Sequence, residues 1–498
     1  MTRRIILFEL NEVPWQIVDE HVAAHPASTL ARILPLSRQY TSIAADRGHL
    51  SPWTTWPTLH RGVNDEQHMI GSFGQDRTEA DRRFPPVWRL LRDAGVSVGI
   101  CGTLHTFPVP DDIDAFSFYL PDSFATEPAA HPAELAAFQE FNLTMVQASA
   151  RNIDTAIPRA AALRFLRSTP KIGIRPHTFA ALGRQLLEER RRPWLSNRRR
   201  TFQSVFAFDL FSKQLATTRP AFSSFFTNHV ASAMHRYWAA GHENEYDELN
   251  LDDGWLDRYR HEVPWAMARA DAMIGRLATF VDANPEYELW IASSMGQGPT
   301  HAEPLETQLY LQDLPTFMQQ VGGLPADAWS QRPAMLPQLN VQVEAGHADA
   351  FAAALRSIRI AGDPLTFRRT DGFFSLEWGQ ANLHDRPDAV LVNGQVRAPE
   401  SLGLRTVEIE ERSDTTAYHV PEGVLAVYDP QDARTRTMAR TRTRTRTSCR
   451  PEVSVLEIAP TILRTLGVAP PQYMEEPAGF GAKVPQGMTA GIAASAAP

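Results

Sequence analysis

The chain has 498 residues, with 49 Lys and Arg against 57 Asp and Glu, a formal net charge of −8. That balance argues against a nucleic-acid partner held by a broadly basic surface, and two cysteines, Cys101 and Cys449, exclude a disulfide framework or a thiolate metal cluster. Nothing supplies about 18 uninterrupted apolar residues, so no membrane span is expected and a cytoplasmic location is.

RRIILFEL (3–10) reads as a buried strand, short, apolar and rich in Ile and Leu. NEVPW breaks it, with Pro14 suited to the first turn of a helix that runs on through VDEHVAAHPASTLARILPL, interrupted near Pro26. GHLSPWTTWPTLHRGVNDEQHMIG (48–71) is the densest polar region, placing Ser51, Thr54, Thr55 and Thr58 among His49, His60 and His68. Pro57 suits a helix's first turn, which puts Thr55 or Trp56 near the N-cap. A hydroxyl there is either a nucleophile aided by helix N-terminal N–H groups or simply the cap. VWRLLRDAG is an amphipathic helix with a glycine stop, VSVGIC a strand, and GTLHTFP a loop carrying His105. A Cys101–His105 pair would be nucleophilic only if the two were adjacent and polarised.

Residues 123–218 are helical and basic in places and read as a cap or insertion between 1–122 and 219–481, the two parts of the core. AFSSFFTNH (221–229) is a strand passing into a polar tip, and ASAMHRYWAA starts a helix, so that Asn228, His229 and His235 gather near one strand end as candidate ligands or acid–base groups. PWAMARADAMIGRLATFVDANP (264–285) is a long helix and YELWIASS a strand. TTAYHVPEGVLAVYDP places His419 in a turn before the strand GVLAVY. RTRTMARTRTRTRTSCR (434–450) is a low-complexity surface loop or an anion patch. SVLEIAPTILRTLG (454–467) is a closing helix, and 482–498 a frayed tail. Apolar strands alternating with helices predict an α/β fold with a largely parallel sheet covered on both faces. In such sheets sites lie beyond the carboxyl ends of the strands, where NEV, GTLH, TNH and SSMG fall.

In this order the segments resemble the alkaline phosphatase superfamily, particularly its phosphodiesterase/nucleotide pyrophosphatase and phosphoglycerol-transferase-like branch. IILFELNEV resembles the opening strand that ends in Asp-Gly, and SPWTTWPTLHRGVNDEQHMI the segment bearing the Ser/Thr nucleophile. SAMHRYW resembles the Asp-x-x-x-His ligand segment, and ELWIASSMGQG stands in the place of Ser-Asp-His-Gly. AYHVPEGVLAVYDP resembles the late Gly-x-His segment, and VLEIAPTILRTLG the Asp-Ile-Ala-Pro-Thr-Leu-Leu helix. The resemblance implies a three-layer α/β/α sandwich and two divalent metals, often zinc, that activate the nucleophile.

Most of the implied ligands are replaced. Asn11 stands at the first aspartate and Glu12 at the glycine after it, Ser294-Met295 stand at Asp-His, and Ala231 stands at the Asp of Asp-x-x-x-His. His235 and His419 remain, enough for at most one divalent metal such as zinc, so a two-metal site is not expected. The local Thr-Trp-Pro pattern makes Thr55 the nucleophile, with Thr54 and Ser51 as neighbours, whereas counting back from Gly62 points near Pro52. Three readings follow. One is a divergent hydrolase or transferase acting on a small-molecule or conjugate phosphate, sulfate or related ester. It uses Thr55 with His235 and His419 holding at most one metal or acting directly as acid and base, and has Asn11, Glu12, Asn228, Ser294, His105 and His60 about the substrate. The second is a metal-free enzyme of changed chemistry in the same crevice, using His49, His60, His105, His229 or His235, and the third a non-catalytic binding or scaffold protein. A homo-oligomer is compatible with all three.

Overall fold

The computed structural model describes residues 3–148, 159–334, 338–378, 382–383, 390–409, 411–432 and 450–477. The Arg/Thr-rich run up to Cys449 and the tail 482–498 lie outside them. The architecture is a three-layer α/β/α sandwich around an eight-stranded sheet, the fold class the alternation and the resemblance both imply.

We label the site-bearing strands β1 (Arg4–Leu10), β2 (Arg38–Ile43), β3 (Val98–Cys101), β4 (Phe118–Leu120), β5 (Phe222–Thr227), β6 (Tyr287–Ala292), β7 (Gly296–Pro299), β8 (Ala417–Val420), β9 (Glu422–Tyr428) and β10 (Glu452–Ser454). The central order is β10-β2-β9-β6-β1-β5-β3-β4. Its pairings are parallel except at β9, which runs antiparallel to both β2 and β6. β7 and β8 form a separate antiparallel ribbon.

β1 shows why both faces need cover. Ile6, Phe8 and Leu10 enter one apolar cluster and Ile5 and Leu7 another, as the period-2 alternation of a strand dictates. The first cluster is closed by helices that include Arg199–Thr218, α2 (His229–Gly241) and α3 (Glu262–Ala283). The second is closed by α1 (Pro52–Arg61), the helix Val87–Asp93 and α4 (Ile458–Thr465). Each buried Leu, Ile or Phe contributes roughly 1.5–3 kcal/mol, so the two clusters fix the sheet and with it the strand ends. Residues 307–408 carry additional small sheets over a third apolar cluster of their own, a unit the sequence reading did not separate from the core.

The helix expected to interrupt near Pro26 divides into Trp15–Ala24 and Thr29–Ile33. The expected start of α1 is corrected. Ser51 is the N-cap, with Pro52 at the first helical position, and Pro57 lies inside the helix. Proline suits either place sterically only if the bond it deletes is already missing, and Pro52 meets that condition first.

Candidate functional site

Three neighbouring strands, β6, β1 and β5, deliver their carboxyl ends to one edge of the sheet. Asn11 and Glu12 follow β1 there, and Asn228 follows β5. Glu12 has φ 57°, the left-handed conformation that glycine takes freely and other residues rarely do. Glu12 thus takes a turn conformation usual for glycine, and its side chain enters the crevice.

Glu12 is the centre of the site. One oxygen, Oε2, lies 2.8 Å from His235 Nε2 and 3.3 Å from His419 Nε2. His235 comes from α2, and His419 from β8. Opposite His419 in the β7–β8 ribbon stands Gln297, and partners in register project to the same face. Gln297 Nε2 accordingly donates to the same Glu12 oxygen. The other oxygen, Oε1, accepts from Asn11 Nδ2 at 2.7 Å, and that amide also reaches Asn228 Oδ1 at 2.7 Å. Asn11 is itself oriented by Trp56, whose indole N–H donates to its Oδ1 at 2.7 Å.

The two imidazoles are fixed from behind. His235 Nδ1 lies 2.8 Å from the Ala417 carbonyl and His419 Nδ1 2.7 Å from the Leu50 carbonyl. A carbonyl only accepts, so each Nδ1 carries the proton and each Nε2 faces Glu12. Burial pushes the Glu12 carboxyl up, but His419 and His235 together bring it well below the usual carboxylate range. Burial lowers His419, and the Glu12 charge and hydrogen bond with the Leu50 carbonyl more than reverse it, leaving it raised.

Glu12, His235 and His419 present three ligand atoms all within 4.8 Å of one another, the one group of its kind among the described residues. Two imidazole nitrogens, one carboxylate oxygen and open further positions are a donor set suited to zinc and other first-row divalent ions at catalytic sites. The Nδ1 clamps and the amides on Glu12 are the outer contacts that orient such ligands. One partial site is therefore present, as the surviving histidines implied, and Glu12 completes it. The sequence reading had placed Glu12 with the substrate.

His49 and Tyr418 form the rim, joined by a 3.0 Å hydrogen bond between His49 Nε2 and the tyrosine hydroxyl. The His49 and His419 rings are 6.3 Å apart and those of His235 and His419 5.3 Å, so His49, His235 and His419 share one crevice. Burial, then Arg368 and His419, push His49 below its ordinary pKa. Tyr418 and Gln297 were not among the expected site residues. Their signal was strand alternation, which sets Gln297 opposite His419 once the ribbon is known.

Other expected residues lie elsewhere. Thr55 is fully buried, its hydroxyl 2.8 Å from that of Ser294, also fully buried. That burial leaves Thr55 without a route to a substrate in this conformation. Thr54 is buried in the same helix, with its carbonyl 3.0 Å from Thr58 Oγ1. His229 is buried and committed on both nitrogens, to Thr227 Oγ1 at 2.6 Å and the Ala266 carbonyl at 3.1 Å, and burial holds its pKa down at about 4. It is a core histidine on the opposite flank of α2. His105 is buried with Nε2 donating to the Trp53 carbonyl at 2.8 Å, and burial followed by the Arg77 charge keeps it well below its ordinary pKa. His60 is buried 2.7 Å from Glu9, whose other oxygen accepts from Thr103 Oγ1 at 2.8 Å. These three histidines are placed to hold α1, α2 and β1 in the core and do not line the crevice. Cys101 is buried, and burial raises its thiol far above the reactive range.

No family model matches the sequence, and no curated protein matches it. Solved structures are similar at low identity. A murine ectonucleotide pyrophosphatase/phosphodiesterase 5 shares 9% identity over 94% of this chain and 96% of its own, with a TM-score of 0.39. A phosphonoacetate hydrolase from Sinorhizobium meliloti 1021 shares 13% over 93% and 96%, also with a TM-score of 0.39. TAB5 alkaline phosphatase shares 9% over 94% and 100%, with a TM-score of 0.37. Among the described residues no helix is long and apolar enough to cross a membrane.

Proposed function

We propose that the chain is a hydrolase or transferase of phosphate, sulfate or related esters that works with one divalent metal ion held by Glu12, His235 and His419. The observation that carries this is the convergence of two imidazole Nε2 atoms on a single Glu12 oxygen, with both Nδ1–H groups already committed to carbonyls. Bound there, the ion would act as a Lewis acid toward an ester oxygen.

The chain's own groups supply the rest. Asn228, exposed at the end of β5, and the amide of Asn11 beside it offer hydrogen bonds to a substrate oxygen. His49, hydrogen-bonded to Tyr418 at the rim, is the group placed to move a proton between crevice and solvent. Ser51 caps α1 beside Leu50, whose carbonyl clamps His419. Ser51 is 6% exposed where Thr55 is 0%, its Oγ accepts from the Trp53 N–H and so keeps its own proton to give up, and we assign it the nucleophile's place ahead of Thr55.

The test is metal titration and turnover on the full chain. Zinc or manganese should bind at about one ion per chain and switch on hydrolysis of an aryl phosphate or sulfate, and Glu12→Gln should weaken the ion at least about 100-fold. A second reading has its own observation, the direct 2.8 Å approach of His235 to Glu12, which suits a metal-free proton relay. Turnover that survives exhaustive chelation would favour that reading. Two tightly held ions, or unchanged affinity in Glu12→Gln, would refute the one-metal site.

A further inference from the structure

Helix α2 has a second flank. His235 points to Glu12, while Ser232 and Arg236, one turn apart, face a cavity lined also by Asn197, Arg198, Arg200 and Thr201 and by Glu262 and Trp265 of α3. Three of the lining residues are arginines and one, Glu262, is a carboxylate, with Glu411 behind Arg200 and Arg236, and the guanidinium groups are unequally served. Arg198 is fully engaged, donating to both oxygens of Glu262 at 2.8 and 2.7 Å with its guanidinium 4.7 Å over the Trp265 ring.

Arg200 and Arg236 are not engaged in that way. They stand 3.9 and 3.7 Å from the Glu411 carboxylate, outside hydrogen-bond reach, and one Glu411 oxygen is taken by the Tyr237 hydroxyl at 3.0 Å. Arg200 Nη1 is sealed from solvent with no hydrogen-bond partner. A buried guanidinium N–H without an acceptor is a costly arrangement that an added acceptor relieves. The surroundings share the cationic excess. Burial, then the charges of Arg198 and Arg184, push the Arg269 guanidinium below its ordinary pKa. His229, which also lines the cavity, is closed off by its bonds to Thr227 and Ala266.

We propose that this cavity is a binding site for a tetrahedral oxyanion, phosphate or sulfate, free or as a substituent of a small molecule. Arg200 and Arg236 form the fork that receives its oxygens, and Ser232 lies on the cavity wall as a further donor. The site is separate from the Glu12 crevice and does not depend on the reaction assigned there. It touches the same helix, from the other side.

Isothermal titration calorimetry on the full chain, stripped of metal by chelator and held at constant ionic strength with chloride, reads this directly with inorganic phosphate and with sulfate as probes. Saturable binding of about one anion per chain is expected. Arg236→Gln and Arg200→Gln should each weaken it about tenfold or more, and Ala233→Phe, which fills the cavity and keeps every charge, should abolish it. If an arginine variant fails to fold by circular dichroism, Ala233→Phe decides. Preference for one probe identifies the headgroup. Absence of saturable heat with both anions in the wild type overturns the proposal, as does undiminished binding in Ala233→Phe.

Discussion

Acid should strip stability from this protein through a histidine that sits behind the site. His68 is 2% exposed. Its Nδ1 accepts the Ile70 N–H at 2.9 Å, so its proton lies on Nε2 and is donated to Thr58 Oγ1 at 2.9 Å. Thr58, on α1, in turn donates to Asp46 at 2.5 Å. Burial, then the Arg61 charge, push His68 down to about 3. The folded state therefore keeps it neutral while the unfolded chain protonates it near an ordinary value of about 6.5. Below that value the unfolded state binds more protons, so the contribution is fully present above about pH 6.5 and is lost as pH falls toward about 3. Between about pH 8 and pH 5 the loss from this one group comes to about 2 kcal/mol. Urea unfolding of the wild type and of His68→Gln at both values separates it from His229 and other groups that do not touch His68. Repeating the pair in an Asp46→Asn background removes Asp46, which shares the Thr58 hydroxyl and is raised by burial to about 6. The wild type should lose about 2 kcal/mol more than the variant. Parallel loss in the two would refute a neutral, buried His68.

A methyl group on Gly296 would sit 2.1 Å from the Glu422 carbonyl oxygen. Gly296→Ala should thus cost roughly 2–4 kcal/mol in urea unfolding and weaken metal binding with it, by displacing the ribbon that carries His419. If Ser51 holds the nucleophile's place, Ser51→Ala should lower turnover of an aryl ester about 100-fold or more with metal affinity kept. Thr55→Val should act mainly on stability, since it removes the buried hydrogen bond to Ser294. The opposite ranking in kcat would return the role to Thr55.

The sheet was legible in the sequence because its strands are short apolar runs ended by polar tips, and their burial on two faces leaves little else for such runs to do. NEV, TNH and SSMG reached one edge as expected, since parallel neighbours must end together. Single side chains were harder to read. His229 and His235 both lie near the end of β5, but a helix turns about 100° per residue, so six positions separate a core histidine from one in the crevice. Glu12 looked like a misfit at a glycine position, and only its left-handed backbone reveals how a carboxylate there reaches two imidazoles. Gln297 became visible only through the register of the β7–β8 ribbon, a pairing across more than a hundred residues that no local pattern encodes.

The reversed direction of β9 has a consequence for how the molecule assembles. Because β9 runs against its neighbours, its starting end lies where β6 and β1 finish, and the segment just before it carries His419 straight to Glu12. The crevice is thereby closed by contacts between the first strand and nearly the last. Long-range closures of this kind are slow, since the chain ordering they require precedes the contacts that reward it. During synthesis, Glu12 would wait for most of the chain to emerge before its second imidazole arrives. On the one-metal reading, ion binding would report completion of the fold, and a refolding experiment that follows metal uptake should see it appear with the final phase.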